Sequence, residues 1–268
     1  MVDNRGGANG LLGVAAVKEA PPDGSVLGVF NVSFFTALPL MMARAPYDPD
    51  RDLTPIARLV TSTVVCCVTA ERAKQRGWSS FRDLVNWGRK PGNQLTKGSA
   101  GSAGPAHLLI ATIAKRSGAN VLHVPYRGGA PAAVDLLGGQ IDMVFDFMPA
   151  LLPHIASGRL VALAVGSRER SPLLPDVPGL GEFGDIGVGD LDLQSWNALV
   201  GPAGMPADVT RAIADGVKRG ATPELAAKLR ASGLVVATSD GVDATRALIA
   251  ADAPRWREMV QVSGARVE

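Results

Sequence analysis

A loop of small residues at positions 98–108 holds the residue types in this chain that are best suited to bind an anion. Its sequence, GSAGSAGPAHL, leads directly into an apolar pattern typical of a helix. Glycines let the backbone approach a ligand closely, and the free N–H groups at a helix start attract carboxylate or phosphate. The sequence VPYRGG at 124–129 again places glycines before a helical pattern. The two segments predict an anion-binding site.

The loop does not fit the nucleotide-binding motifs that also use glycine-rich turns. A P-loop carries Lys and then Ser or Thr directly after its last glycine, whereas Gly104 is followed by Pro105 and Ala106. Neither this loop nor the glycine cluster at 6–13 has the spacing and the acidic ribose partner of a dinucleotide-binding fingerprint. For each loop taken alone, a turn that merely caps a helix is the alternative.

Catalytic and metal-binding patterns receive little support. The three histidines are isolated in the sequence, with no second ligand at helical or hairpin spacing. Ser99 or Ser102 could combine with His107 and Asp146 as a hydrolase triad, but the nucleophile-elbow pattern of such enzymes is absent. We expect no metal, no cofactor and no catalysis, and a serine hydrolase is the alternative from another class.

Polar and glycine residues follow several predicted strands. Ligands of open α/β sheets bind beyond the carboxyl ends of the strands, so these residues are expected to converge on one crevice. Asp146 would suit an ammonium or hydroxyl group, with a helix cap as its alternative, and Tyr126 could instead be a packing aromatic. The candidate site residues are Asn31, Ser33, Ser99, Gly101, Ser102, Tyr126, Gly128, Gly129 and Asp146.

The composition is that of a globular protein with a sizeable core. The chain has 268 residues, of which 47% are hydrophobic and 19% charged, and its net charge of +2 comes from scattered basic residues. This charge is too small to support binding to nucleic acid or anionic membranes. The longest apolar run, 34–43, is too short to insert into a bilayer, and residues 1–5 contain no secretory signal. The adjacent Cys66 and Cys67 point to opposite faces of a strand, which predicts buried thiols without a disulfide.

Strand and helix patterns alternate along the chain, which predicts largely parallel sheets covered by helices. The segments 59–69 and 193–201 are expected to cross between two lobes as a hinge. The remaining predicted strands are 26–30, 121–124, 143–147, 161–165 and 235–237. The predicted helices are 12–20, 81–90, 106–117, 130–137, 150–157, 207–219, 223–232 and 242–262.

Several motifs, in order from end to end, resemble the Bug-type substrate-binding receptors of tripartite tricarboxylate transport systems. They include VDNR at 2–5, PYDP at 46–49, VPYRGGAPA at 124–132, DLLGGQIDM at 135–143 and RSPLLPDVP at 170–178. The resemblance implies a periplasmic-binding-protein fold whose two α/β lobes close over a small carboxylate. The first lobe would comprise 1–68 and 199–268, and the second 69–198.

The resemblance also implies roles for the candidate residues. Ser99, Gly101 and Ser102 would hold one carboxylate, and Tyr126 with Gly128 and Gly129 would form the neighbouring turn. Asp146 would face the cleft, opposite Asn31 and Ser33 of the other lobe. The implied protein is a monomeric periplasmic receptor that delivers a di- or tricarboxylate, an acidic amino acid or an aromatic acid to a membrane permease. A sensory module that signals to a two-component kinase is the alternative.

The sequence departs from the family pattern in three places. Ala103 and Gly104 stand where the family often has Gly followed by Ser or Thr, and Asp146 is followed by Phe147 instead of Asn or Thr. Similar proteins also carry an export signal and a first strand and helix before the segment that matches 2–5. We therefore expect the complete receptor to be longer at its amino end, with the first strand and helix of the first lobe missing from this chain.

Overall fold

A computed structural model shows a mixed α/β fold and describes residues 1–5, 7–101 and 104–267. The strands of this part of the chain are β1 Gly28–Asn31, β2 Leu53–Thr69, β3 Leu95–Ser99, β4 Val121–Pro125, β5 Met143–Phe147, β6 Leu160–Val165, β7 Gln194–Pro202 and β8 Val235–Val236. The helices are α1 Leu11–Lys18, α2 Leu38–Met41, α3 Pro49–Asp52, α4 Ala70–Arg76, α5 Phe81–Arg89, α6 Pro105–Ser117, α7 Gly129–Leu137, α8 Leu152–Ala156, α9 Ala207–Gly220, α10 Pro223–Ala231 and α11 Gly241–Ser263.

The ends of the helices follow signals that are visible in the sequence. The Ser80 hydroxyl accepts the backbone N–H of Asp83 at 3.2 Å and so caps α5. Pro105 occupies the first position of α6, where its missing N–H costs no hydrogen bond, and α6 ends at Gly118 with a φ of 73°. The predicted helices and strands therefore appear within a few residues of their expected bounds.

The long strand β2 belongs to two sheets. Its first part pairs with β7 from Leu53 to Thr63, and β7 in turn pairs with β1, while β8 pairs with β2 at Val60 and Thr61. Its last part pairs with β5 on one side and with β6 on the other. We call β1, β7, β8 and the first part of β2 the first sheet, and β3 to β6 with the last part of β2 the second sheet.

The prediction of largely parallel sheets is wrong in detail, although the α/β class is confirmed. Parallel pairing occurs between β3 and β4 and between β3 and β5, which helical crossovers connect. Every described pairing that involves β2 or β7 is antiparallel. The reason is that β2 extends through both sheets and its neighbours return to it from distant parts of the chain, so their direction is not set by a single crossover helix. The lobe boundaries at 68 and 199 stay a prediction.

The core lies on both faces of the second sheet and continues into the first. Cys66 packs in one buried cluster with Phe81 and Phe145, whereas Cys67 packs in another with Leu136. Both thiols are free and fully buried, which confirms that these adjacent residues serve opposite faces of β2. Burial raises the pKa of the Cys66 thiol to about 12. Among the described helices, none has the length and apolar character needed to span a membrane.

The buried carboxylate of Asp142 fixes the spacing of the strands beneath the candidate site. Its side chain accepts the backbone N–H and the hydroxyl of Thr96 in β3, each at 2.8 Å. It also pairs at 2.8 Å with Arg72 of α4. Asp142 directly precedes β5, so this one carboxylate ties together α4, β3 and β5.

Substituting Asp142 should destabilise the fold strongly. In Asp142→Ala the Thr96 N–H and the Arg72 guanidinium lose a buried acceptor, which we expect to lower the free energy of unfolding by about 2–3 kcal/mol. The measurement is urea unfolding followed by circular dichroism. Asp185→Ala, which removes the solvent-exposed partner of Arg82, should change the unfolding midpoint far less. Equal shifts for the two variants would contradict this role of Asp142.

Candidate functional site

A cavity of about 910 Å³ lies where loops that follow the strands meet the starts of two helices. One wall comes from the amino-terminal region and the other from the loops after β3, β4 and β5. The lining residues of the first wall are Gly7, Asn9, Gly10, Asn31, Ser33, Phe34 and Leu38. Those of the second wall are Ser99, Ala100, Gly101, Gly104, Pro105, Ala106, His107, Tyr126, Arg127, Asp146 and Phe147.

Helix starts on opposite walls give the cavity a positive electrostatic character. α6 opens at Gly104 and α1 opens at Gly10, and both of these residues line the cavity. No side chain of the described residues caps either helix. The positive ends of both helix dipoles therefore lie at the cavity, where they favour a bound anion.

Ser99, at the carboxyl end of β3, shapes the loop that begins there. Its hydroxyl donates to the carbonyl oxygen of Gly101 at 2.9 Å. Because a hydroxyl has one proton, the 2.6 Å contact between Ser99 Oγ and His123 Nε2 is a hydrogen bond donated by the imidazole. Gly101 has a φ of 145° in this turn, a conformation that a side chain would strain. The loop is thus held in shape by a side chain that is itself only 1% exposed.

Asp146 anchors the same loop from the neighbouring strand β5. One carboxylate oxygen accepts the backbone N–H of Ala100 at 2.7 Å, and the other accepts that of Phe147 at 2.8 Å. Burial raises the pKa of this carboxyl group, and the two N–H donors act in the opposite direction. Asp146 lines the cavity, as expected at the sequence level, but its recorded bonds serve the protein backbone.

Two of the three histidines, which are far apart in the sequence, stack against each other behind the loop. The ring centroids of His107 and His123 are 4.0 Å apart, with an angle of 12° between the planes. Burial, with a contribution from the charge of Lys97, lowers the pKa of His107 to about 4 and that of His123 to about 3. Both rings are therefore neutral at neutral pH.

The contacts around Ser99 do not form the hydrolase triad considered from the sequence. The Ser99 proton is directed at the Gly101 carbonyl, and the histidine beside it is His123, not His107. The Asp146 carboxylate bonds backbone N–H groups instead of orienting an imidazole. The described residues also contain no cluster of three or more potential metal-binding side chains.

Lys97 is a buried cation that the sequence analysis missed. It lies two residues before Ser99 on β3, is 0% exposed, and donates from Nζ to the carbonyl oxygen of Ala106 at 3.3 Å. Burial lowers its pKa to about 7, while the negative charge of Asp146 acts to raise it. The alternation of side chains along a strand could have indicated its position, since Lys97 and Ser99 share a face.

The remaining predicted residues have distinct positions. The side-chain amide oxygen Oδ1 of Asn31 caps the short 3₁₀ helix Val32–Phe34 by accepting the N–H of Ser33 at 2.9 Å, and it also accepts the Ser33 hydroxyl. The Tyr126 hydroxyl donates to Asp135 at 2.8 Å. Gly128 and Gly129 form the start of α7 and are not among the lining residues. Ser102 lies outside the described residues, so its place in the site stays a prediction.

The amino-terminal glycine cluster and Arg127 also line the cavity, although neither was included in the predicted site. Asn9 has a φ of 54°, in the left-handed region that Asn tolerates better than most residues, and the flanking Gly7 and Gly10 also have positive φ. The closely spaced Gly and Asn residues of this segment could have indicated, from the sequence, a loop with positive φ angles. Arg127 is an exposed cation at the cavity rim.

An α/β fold with two sheets that share a strand, and a cavity bounded by helix starts, is the architecture of a periplasmic-type solute-binding receptor. The sequence matches the profile described as "Tripartite tricarboxylate transporter family receptor" over residues 1–265, and the chain belongs to this family. It is thus a member of a family of solute receptors.

Individual relatives agree with this assignment. The chain is 32% identical to Protein BugT of Bordetella pertussis, in an alignment that covers 100% of this chain and 80% of BugT. A structure described as R. palustris protein with adipate has 25% identity and a TM-score of 0.86, covering 99% of this chain and 87% of that one. The structure of the periplasmic binding protein BugD has 28% identity and a TM-score of 0.84, covering 98% and 86%. Alignments with the first four curated relatives span between 59% and 80% of their lengths.

Burial of Lys97 should make stability depend on pH in the alkaline range. The unfolded chain keeps this lysine protonated up to about pH 10.5, whereas the folded protein releases its proton near pH 7. Between these values the unfolded state binds more protons, so the folded state gains stability as pH rises, by at most about 1.4 kcal/mol per pH unit.

Comparison with Lys97→Met isolates this contribution, because other titrating groups are common to both proteins. We expect the free energy of unfolding of the native protein, relative to that of the variant, to be constant below about pH 7 and to rise from there towards pH 10.5. Urea unfolding of both proteins between pH 6 and 10 measures the difference. A difference that does not change over this range would show that Lys97 titrates normally.

Proposed function

We propose that this protein is a periplasmic receptor that binds a small carboxylate in the cavity and delivers it to a permease of the tripartite tricarboxylate type. The observation that carries the proposal is the pair of uncapped helix starts, at Gly10 and Gly104, on opposite walls of one cavity. A ligand with negative charge at both ends would meet backbone N–H donors on each side.

The charges around the cavity favour an anion over a cation. Its ionised lining side chains are Arg127 and Asp146, and the Asp146 carboxylate already bonds two backbone N–H groups. Lys97 adds a positive charge directly behind the wall. The cavity volume of about 910 Å³ is in the range of small-molecule sites. The adipate in the similar R. palustris structure is a dicarboxylate of this kind.

Transport requires the receptor to release its ligand to a membrane partner after capture. β2 continues from the first sheet into the second, and the chain returns to the first sheet at the start of β7, so we propose that bending at these two crossings opens and closes the cavity. The receptor would act as a monomer, since each copy carries both walls of the site. The likeness to the periplasmic protein BugD supports a periplasmic location.

Titration calorimetry with a panel of acids tests the proposed function. The panel comprises adipate, succinate, citrate, glutamate and benzoate, with 1,6-diaminohexane as a cation of similar length. We expect at least one acid to bind at one site per chain with a dissociation constant in the micromolar range or below, and the diamine not to bind. Binding of the diamine alone, or of no acid in the panel, would overturn the proposal.

A substitution at Gly101, in the loop after β3, should weaken ligand binding, whereas a similar substitution outside the cavity should not. Gly101→Ala places a side chain at a φ of 145°, and the loop can relieve this strain by moving its N–H groups out of position. We expect the affinity for the best acid of the panel to fall about tenfold, which corresponds to about 1.4 kcal/mol.

Gly77→Ala is the matched control for this experiment. Gly77 also has a positive φ, of 69°, but lies at the exposed end of α4 and does not line the cavity. This variant should lose stability and keep the affinity of the native protein. If Gly101→Ala also keeps its affinity, the loop geometry does not matter for binding.

A further inference from the structure

We propose that Lys97 is a positioning residue which offsets the negative charge of Asp146 behind the ligand, so that the receptor takes up a carboxylate together with a proton. This inference rests on the proposed function, since it concerns the same cavity. It assigns a role to a residue that does not line the site and that neither the motif pattern nor the lining residues indicate.

The position of Lys97 places its charge one layer behind the cavity wall. The residue is 0% exposed, and its Nζ donates to the carbonyl oxygen of Ala106, which is itself a lining residue in the first turn of α6. The distance of 3.3 Å makes this a long hydrogen bond for an ammonium group. A buried ammonium needs a compensating negative charge, and Asp146 is the carboxylate that interacts with it.

The titratable groups that interact with Lys97 lie on α6, β4, β2 and β5. His107 on α6 and His123 on β4 are neutral at neutral pH, since burial holds the pKa of each well below its ordinary value. Cys66 on β2 is a protonated thiol, because burial raises its pKa to about 12. Asp146 on β5 is therefore the one charged partner of Lys97 among the described groups that interact with it.

The charge of Lys97 then decides whether the electrostatic field at the loop attracts or repels a carboxylate ligand. When Lys97 is protonated, its charge offsets that of Asp146, and the helix start at α6 dominates the field and attracts a carboxylate. When Lys97 is neutral, only the two backbone N–H groups offset the charge of Asp146, so this carboxylate repels the ligand more strongly across a medium of low polarity.

By thermodynamic linkage, the protonation of Lys97 affects ligand binding and ligand binding affects the protonation of Lys97 to the same extent. A bound carboxylate stabilises the protonated form of Lys97, so binding draws a proton from solution wherever the free protein has lost it. Burial lowers the pKa of Lys97 to about 7, which sets the relevant range at neutral to mildly alkaline pH. The affinity for the acid is expected to fall as pH rises through this range, approaching a tenfold loss per pH unit.

Calorimetry on the native protein tests the proton uptake without any substitution. The probe is adipate, whose two carboxyl groups are ionised above pH 6.5. Titrations at pH 8 in Tris and in HEPES, buffers with different enthalpies of ionisation, give the number of protons taken up. We expect a larger proton uptake at pH 8 than at pH 6.5, with a progressive loss of affinity between pH 6.5 and 9.

Two variants assign the effect to Lys97. Lys97→Met keeps a long apolar stem without the charge, and should bind adipate more weakly at pH 6.5, with an affinity that varies less than about twofold up to pH 9. Lys115→Met removes an exposed positive charge from α6 and should retain the affinity, pH profile and proton uptake of the native protein. A purely structural role of Lys97 would change the affinity but leave the pH profile intact.

The outcomes separate this inference from the proposed function. If adipate or another acid of the panel binds with an affinity that does not depend on pH, and without proton uptake, the role of Lys97 is wrong and the receptor function stands. If Lys97→Met shows the native pH profile, the proposed role of Lys97 is likewise wrong and the receptor function stands. If no acid binds at any pH, both proposals fail. If Lys97→Met does not fold, the calorimetry of the native protein decides. Where adipate itself does not bind, the best acid of the panel is the probe.

Discussion

The strand β2 must pair with neighbours in two sheets along one continuous stretch of backbone. From Leu53 to Thr63 its register is set by β7, and from Val64 onwards by β5 and β6. The continuous backbone from Thr63 to Val64 therefore fixes the position of β5, and with it Asp146, relative to the wall formed by Asn31 and its neighbours. A shift of β2 by one residue would exchange the buried faces that Cys66 and Cys67 serve.

The loop after β3 owes its shape to buried polar groups. Ser99 and Asp146 hold the backbone of Gly101 and Ala100 by hydrogen bonds, and His123 contacts the Ser99 hydroxyl. Lys97 lies beneath them with a charge that burial disfavours. Buried groups of this kind cost folding free energy unless each is matched by a partner. A cavity built in this way is less stable than an apolar core of the same volume, but it presents N–H groups to a ligand in a fixed arrangement.

The sequence alone predicted most of the elements, because helix caps, proline positions and apolar periodicity are local signals. Examples are the helices predicted at 81–90 and 106–117, which the structure has at Phe81–Arg89 and Pro105–Ser117, whereas β3 was not predicted. The antiparallel pairing of β2 was not predicted, since strand direction depends on how distant segments return to the sheet. Of the predicted glycine and serine residues that follow strands, Ser33, Ser99 and Gly101 line the cavity, and their role in binding stays a prediction. The His107 stack and Lys97 were missed, because contacts between residues far apart in the chain leave no local pattern.

The backbone origin of the N–H groups at Gly10 and Gly104 has a consequence for evolutionary divergence. A point mutation can change a side chain but cannot remove a main-chain donor, so the proposed capacity to hold a carboxylate would survive substitution at most lining positions. Side chains such as Phe34 and Leu38 on the facing wall remain free to vary in size and polarity. Duplicated copies of such a gene can thus acquire new acids as ligands by changing a few residues, without having to reinvent the recognition of the acid group.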